Sequence, residues 1–363
     1  MPRWFRVLVL PALVLSTLAA CSDDGSAPNA GAACESDITV GLALDVGGLN
    51  DNGFNDLAKA GLDKAVAEGV ICEDNYQLIE ANSEGTNLDE NIQTLADAGF
   101  NLIIGTGYAF SDDGQVNAIA PEYPDVSFAI VDGFATCGTE CGLPNDAASI
   151  PNVLDLTFKE QEGSYLVGVA AALKARELQC DTLGFLGGQT GPLIEKFEAG
   201  FAAGAQEITP EIDVLVEYIG DTTQAFFNQT AGEALSNGMY DDGACIIYHA
   251  AGDSGNGLFK AAAAQDRLAI GVDADQYRTV TPEQAPFIFT SMIKRVDTAT
   301  LETIVAVADG TFEGGTAQVF DLAGEGVSYS TSNTELMTQE IIDTVEEYEQ
   351  KILDGEIVPP EKP

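Results

Sequence analysis

The string in this chain that looks most like reaction chemistry is Gly252-Asp253-Ser254-Gly255, a serine on a glycine-rich turn, with His249 just upstream. His249 is the single histidine of the sequence, so any base for Ser254 has to come from that strand end. Triads are defined by placement and role, not by strings. A glycine-rich loop after a strand reads better as backbone that approaches a ligand closely. Other signals are weaker. Gly105-Thr106-Gly107 lacks the third glycine of a dinucleotide fingerprint, and no phosphate-loop lysine motif is present. The Cys-x3-Cys at Cys137 and Cys141 has no second ligand pair for zinc. The expectation is a binding protein with no catalysis, no cofactor and no metal.

Charge narrows the ligand and partner classes. Fifty-eight acidic residues against fifteen basic ones leave a net charge of −43. That excludes a nucleic-acid binder, which needs a basic face. It disfavours anionic ligands unless a local cationic pocket exists. The acids are scattered along the chain and read as a solvated surface.

The elements that position such loops begin after an export signal. Arg3 and Arg6 precede an apolar run from Val7 to Ala20, a secretory layout too short to serve as a bilayer-spanning helix. Leu18-Ala19-Ala20-Cys21 resembles a bacterial lipobox, which makes Cys21 the lipidated N-terminus of the exported protein. Ser22 to Ala33 has the composition of a flexible tether. Six further cysteines remain: Cys34, Cys72, Cys137, Cys141, Cys180 and Cys245. An even number in an exported chain points to disulfides, and six allow fifteen pairings. Order along the chain favours Cys34 with Cys72, Cys137 with Cys141, and Cys180 with Cys245. The first and last of these pairs sit before or at the starts of strands that share a sheet edge.

Beyond the tether, short β-rich runs alternate with helical segments, which predicts parallel sheets covered by helices. Strands are expected near residues 38–45, 76–79, 102–105, 128–132 and 153–158. A second series follows near 182–186, 214–219, 245–248, 268–272 and 287–292. Helices fall between them, including one over 226–236. The predicted organisation is a signal peptide at 1–20, then a lipidated cysteine and tether at 21–36. Lobe 1 comprises 37–157 plus 293–315, and lobe 2 comprises 158–292 plus 316–335. A C-terminal helix and tail occupy 336–363. In open parallel sheets, ligands bind outside the carboxyl ends of the strands. Here those ends gather Asp45 with a Gly47–Asn55 turn, Gly105–Gly107, Asp132, Gly187-Gly188, Gly252–Gly257 and Asp273–Asp275.

These strand ends resemble the basic membrane protein family of substrate-binding lipoproteins, which includes the purine nucleoside receptors of bacterial ABC importers. The ordered set carries the resemblance: Asp51-Asn52-Gly53-Phe54-Asn55, Leu102–Gly107, Phe128–Asp132, Glu162–Gly168, Gly184–Gly188, Phe197–Phe201, Gly252–Gly257, Ile270–Gln276 and Thr290–Lys294. It implies the type I periplasmic binding protein fold, two doubly wound α/β lobes joined by a three-stranded hinge. It also implies a monomer that closes on a nucleoside and hands it to a membrane permease with its ATPase.

Read against that resemblance, Phe54 and Phe197 are candidate stacking rings, one per lobe, though each is equally the kind of residue that fills a core. Asn55 and Asp132 are candidates for the base edge, and Asp273 for the ribose hydroxyls. Asp45 and Asp51 either touch the ligand or hold the turn, Asp51 as a helix cap. Lys294 is expected to donate to the ribose while balancing Asp273 and Asp45. Backbone N–H groups near Gly252 complete the set. The stretch Asp221 to Phe227 departs from the family pattern, and Phe226 or Phe227 is a substitute ring there. An Asp-rich cleft opposes phosphate, which favours a nucleoside over a nucleotide. A sugar or other small metabolite remains the alternative ligand, and a ligand-sensing lipoprotein that docks a signalling receptor the alternative role.

Overall fold

The computed structural model describes residues 36–111, 115–135 and 150–363. The lipobox Cys21 and the export signal lie outside them, as do Cys34, Cys137 and Cys141. The architecture is two six-stranded sheets. The first contains β1 (Val40–Leu44), β2 (Tyr76–Glu80), β3 (Leu102–Thr106), β4 (Ser127–Val131) and β5 (Val153–Phe158), and gains β11 (Thr316–Phe320) at one edge, in the order β11-β5-β4-β3-β1-β2. The second contains β6 (Thr182–Gln189), β7 (Asp213–Gly220), β8 (Ile246–Ala250), β9 (Leu268–Asp273) and β10 (Ile288–Lys294), with β12 (Val327–Tyr329) at its edge, in the order β12-β10-β9-β8-β6-β7. The two orders are the same strand for strand. Each sheet is parallel throughout, except that β12 runs antiparallel to β10.

The central strands are buried end to end because helices cover both faces. On the first sheet, α1 (Phe54–Ala67) lies beside α8 (Val296–Ala308), and α2 (Leu88–Asp97) packs with the short α3 (Gln115–Ile119). On the second, α4 (Glu160–Leu178) packs on α5 (Pro192–Ile208) and on α9 (Gln339–Leu353), while α6 (Gln229–Asp241) packs on α7 (Gly255–Gln265). Close helix contact between α4 and α5 rests on Gly200 and Gly204, where a Cβ would meet the α4 backbone at 2.3 and 2.0 Å. Among the described residues the chain passes between the sheets at three places: Phe158 to Glu160, Lys294 to Val296, and Phe320 to Val327.

Two local expectations change. The return strand β11 is hydrogen-bonded to β5 of the first sheet, although residues 316–335 are expected in lobe 2. Only β12 of that segment joins the second sheet, so the third passage falls at residues 320–327. Little in Thr316–Phe320 marks the sheet it joins: it is an edge strand with mostly exposed side chains. The helix expected from residue 226 starts at Gln229, because the Asn228 side chain accepts from the Ala231 N–H and caps it there. Cys180 and Cys245 are bonded to each other, with Cα atoms 6.4 Å apart at the shared edge of the second sheet. Cys72 is disulfide-bonded, and Cys34, its expected partner, lies outside the described residues.

Candidate functional site

The carboxyl ends of both sheets face one cavity of about 630 Å³, its solvent-open part included. All nine candidate ligand residues reach its wall: Asp45, Asp51, Phe54, Asn55, Asp132, Phe197, Gly252, Asp273 and Lys294. Their polar groups are in different states. Two are consumed by the turn after β1. The Asp51 carboxylate accepts from the backbone N–H groups of Gly53 (3.0 Å), Asn55 (2.8 Å) and Asp56 (3.2 Å), which tethers the start of α1. The Asn55 amide donates to Asp51 Oδ2 (3.1 Å) and to the Val46 carbonyl (3.4 Å) and accepts from the Asp45 N–H (3.2 Å). Both therefore hold the loop that presents Phe54 and Asp45.

Asp45 is different. One of its oxygens accepts from the Val46 N–H at 2.7 Å, and burial pushes its pKa up to about 7. Beside it Gly107 has φ +128°, and a Cβ there would lie 2.5 Å from Asp45 Oδ2. Only glycine fits this close approach.

Lys294, at the end of β10, is the electrostatic centre. Its Nζ lies 2.7 and 2.8 Å from the two oxygens of Asp132 and 3.0 Å from Glu160 Oε1. All three side chains are buried. The expectation that Lys294 balances Asp273 and Asp45 is thus corrected: its direct partners are Asp132, after β4, and Glu160, at the start of α4. Glu160 also accepts from Lys196 at 3.1 Å. Burial opposes the charge on Lys294, but Asp132, Glu160 and Asp273 outweigh it and hold the ammonium pKa raised. Burial likewise pushes Glu160 up, and Lys294 and Lys196 bring it below the usual carboxylate range. Three rings surround the same ammonium, with the centroids of Phe158, Phe54 and Phe197 at 4.8, 5.3 and 5.5 Å.

Asp273, by contrast, carries no hydrogen bond or ion pair among the described residues, and burial pushes its pKa up to about 7. It stands on the cavity wall in a left-handed backbone conformation, φ 65°. Gly252 is also left-handed, φ 53°, at the turn that leads into α7. Apart from Asp253, the remaining wall is mostly apolar, including Val46, Leu193, Ile194, Phe226 and Val272, with Tyr108. Tyr108 meets Phe226 edge to face across the cavity, with centroids 6.3 Å apart, and its hydroxyl bonds Gln189 of the second sheet.

Sequence reasoning missed Tyr108, Glu160 and the apolar pair Leu193 and Ile194. Tyr108 directly follows the Gly105–Gly107 strand end, which is a usable signal. Glu160 carried none, since acids are abundant and the strand-end rule does not reach a helix start. The nucleophile-like string has no triad geometry. The Ser254 hydroxyl donates to the Ala225 carbonyl (2.7 Å) and accepts from the Asn228 N–H (2.6 Å), whereas His249 Nε2 meets Gln276 Oε1 at 2.9 Å.

The family model described as ABC transporter substrate-binding protein, PnrA-like, matches residues 38–362. A relative from Listeria innocua named CD4+ T-cell-stimulating antigen is 32% identical over 98% of this chain and 97% of its own length. One from Lactococcus lactis, named ABC transporter nucleoside-binding protein BmpA, is 29% identical over 98% of this chain and 99% of its own. Among solved structures, an ABC transporter solute-binding protein from Aeropyrum pernix superposes with a TM-score of 0.72 at 25% identity, covering 89% of this chain and 94% of that one.

Proposed function

The chain belongs to the PnrA-like family of ABC transporter substrate-binding proteins, and from that premise we propose that it captures a nucleoside, a purine nucleoside foremost, in the cavity between its two sheets. Members of this family bind solutes and are not enzymes, and Ser254 and His249 bond other partners, Ala225 and Gln276. The observation that carries the nucleoside reading is the pairing, on one cavity wall, of rings from both sheets with a buried carboxylate that has no partner of its own. Phe54 and Phe197 supply faces for a base, worth about 1–3 kcal/mol per stacked base. Asp273 accepts the ribose hydroxyls, and the lost water is replaced by charge-assisted hydrogen bonds. Asp45 and the Gly252 backbone N–H meet the base edge. Asp51 and Asn55 act through the turn that aims Phe54. Lys294 and Asp132 neutralise one another and leave no surplus positive charge for a phosphate, which favours a nucleoside over a nucleotide. The relative from Lactococcus lactis is named for nucleoside binding, which supports the same reading.

In this reading Cys21 carries the lipid that holds the protein at the outer face of the cell membrane, and a permease with its ATPase receives the ligand. Contacts to both sheets stabilise the closed form, and closure is what the permease reads. Isothermal titration of the exported protein with adenosine, guanosine, adenine, ribose and AMP tests the assignment. Nucleosides are expected to bind most tightly. Equal or tighter binding of ribose or AMP than of every nucleoside overturns it.

A further inference from the structure

Beside the cavity a second set of contacts joins the two sheets and touches its wall at Asp51 and Asp253. Asn52, in the turn before α1, has φ 62°. Its side chain donates to Asn256 Oδ1 (3.2 Å), and its carbonyl accepts from Gln276 Nε2 (3.3 Å). Asn256 Nδ2 in turn donates to the Asp51 carbonyl (3.4 Å) and to Asp253 Oδ1 (3.0 Å). The Gln276 amide does not adopt this direction freely. Its Oε1 accepts from the Val272 N–H at 2.8 Å, which fixes which end of the amide is oxygen. The same oxygen lies 2.9 Å from His249 Nε2, so the ring must carry its proton on Nε2.

His249 is fully buried and packs edge-on against Phe259, with centroids 5.2 Å apart. Its Nδ1 has no hydrogen-bond partner among the described residues. Burial drives the ring pKa down to about 4, so it stays a neutral donor. Gly255 makes room for it: a Cβ there would lie 2.0 Å from the ring. The string that resembles a nucleophile turn is thus the seat of a histidine that holds an amide.

We propose that Asn52, Asn256 and Gln276 form a latch between the sheets, with His249 as the positioning residue that aims the Gln276 amide, and that this latch favours the closed form whatever occupies the cavity. None of these four side chains lines the cavity, and the one wall carboxylate they touch, Asp253, is also held by Gln229 at 2.8 Å, so the latch acts on closure more than on ligand chemistry. The proposal goes beyond the nucleoside reading and does not depend on it.

The test uses the full exported chain without ligand and compares wild type with Asn256→Ala, Gln276→Met, His249→Phe and His249→Gln. Small-angle scattering is expected to show a larger radius of gyration for Asn256→Ala and Gln276→Met. His249→Phe should follow them, and His249→Gln, which can still donate, should recover part of the compaction. The single imidazole makes nitrogen NMR unambiguous: an Nε2–H tautomer that does not titrate above about pH 5 is expected, lost in Gln276→Met. With adenosine as probe, Asn256→Ala should speed dissociation roughly two- to tenfold and leave association nearly unchanged. Unchanged ligand-free scattering in both Asn256→Ala and Gln276→Met, or an Nδ1–H tautomer in wild type, overturns the latch. Asn256→Ala removes only a half-buried helix-start side chain, so a folding failure of the core variants does not shield the idea. If wild type binds neither adenosine nor guanosine, the nucleoside reading falls while the ligand-free scattering still decides the latch.

Discussion

Asp132 and Asp273 occupy the same place in the two sheets. Each ends the third strand from the edge, after β4 and at the end of β9, and each takes a left-handed conformation, with φ 60° and 65°. Aspartate tolerates this region better than most residues, and its recurrence at both cleft faces marks a constrained site. Their electrostatics diverge. Asp132 holds Lys294 through both oxygens, whereas Asp273 faces the cavity unpaired. Strand order does not decide this: Lys294 ends β10, the neighbour of the strand that carries Asp273, yet its ammonium reaches across to Asp132 of the first sheet, whose own neighbour β5 ends in Phe158. One backbone design thus yields a carboxylate that ties the passages between the sheets together through Lys294 and another that faces the cavity without a direct partner among the described residues.

The largest expected effect breaks the compensated side. Lys294→Met leaves Asp132 and Glu160 buried without their shared cation, and chemical denaturation should show a loss of about 3–5 kcal/mol. Asp273→Asn should cost little stability, because its carboxyl makes no hydrogen bond or ion pair among the described residues and burial opposes its charge. If the two variants lose equal stability, the asymmetry is not real. On binding the order reverses for the ligand-facing side. Asp273→Asn should weaken nucleosides by about 1.5–3 kcal/mol, the worth of a hydrogen bond to a charged group, while free bases lose much less by calorimetry. Phe54→Ala and Phe197→Ala should each weaken nucleosides by about 1–3 kcal/mol. Equal losses for the two rings would mean both halves of the cavity grip the base alike.

The smallest effect is a slope with pH. The carboxyl groups of Asp45 and Asp273 have folded pKa values raised to about 7 by burial, against an ordinary value of 3.8. The unfolded chain then releases these protons at lower pH than the folded one. Their contribution to stability is full below about pH 4 and is lost as pH rises toward 7. Ligand-free melting temperatures of wild type should carry this contribution, and Asp45→Asn combined with Asp273→Asn should flatten it between those limits. An identical pH profile in the double variant would mean that neither group is shifted.

Much of the fold was legible because its signals are local. Alternation of β-rich runs with helices predicted both sheets, and the nine candidates named from strand ends and the family resemblance all lie on one cavity wall. What was illegible depends on partners far along the chain. Asp51 and Asn55 look like ligand groups in sequence, yet their hydrogen-bonding capacity is spent within the turn. Lys294 looks like a donor for the cavity, yet Glu160, 134 positions away, helps to claim it. Edge strand β11 carries too little apolar pattern to say which sheet it joins.

By itself, the amino-acid sequence determined the periodicity of the elements, the glycines that open the strand ends and the acidic balance that disfavours polyanion partners. Those follow from local stereochemistry and summed charge. Only the tertiary structure decided which carboxylate keeps a cation, which histidine nitrogen bears the proton and which amides link the two sheets. These are settled by distances of a few ångströms between residues far apart in the chain, where burial makes every unpaired charge costly.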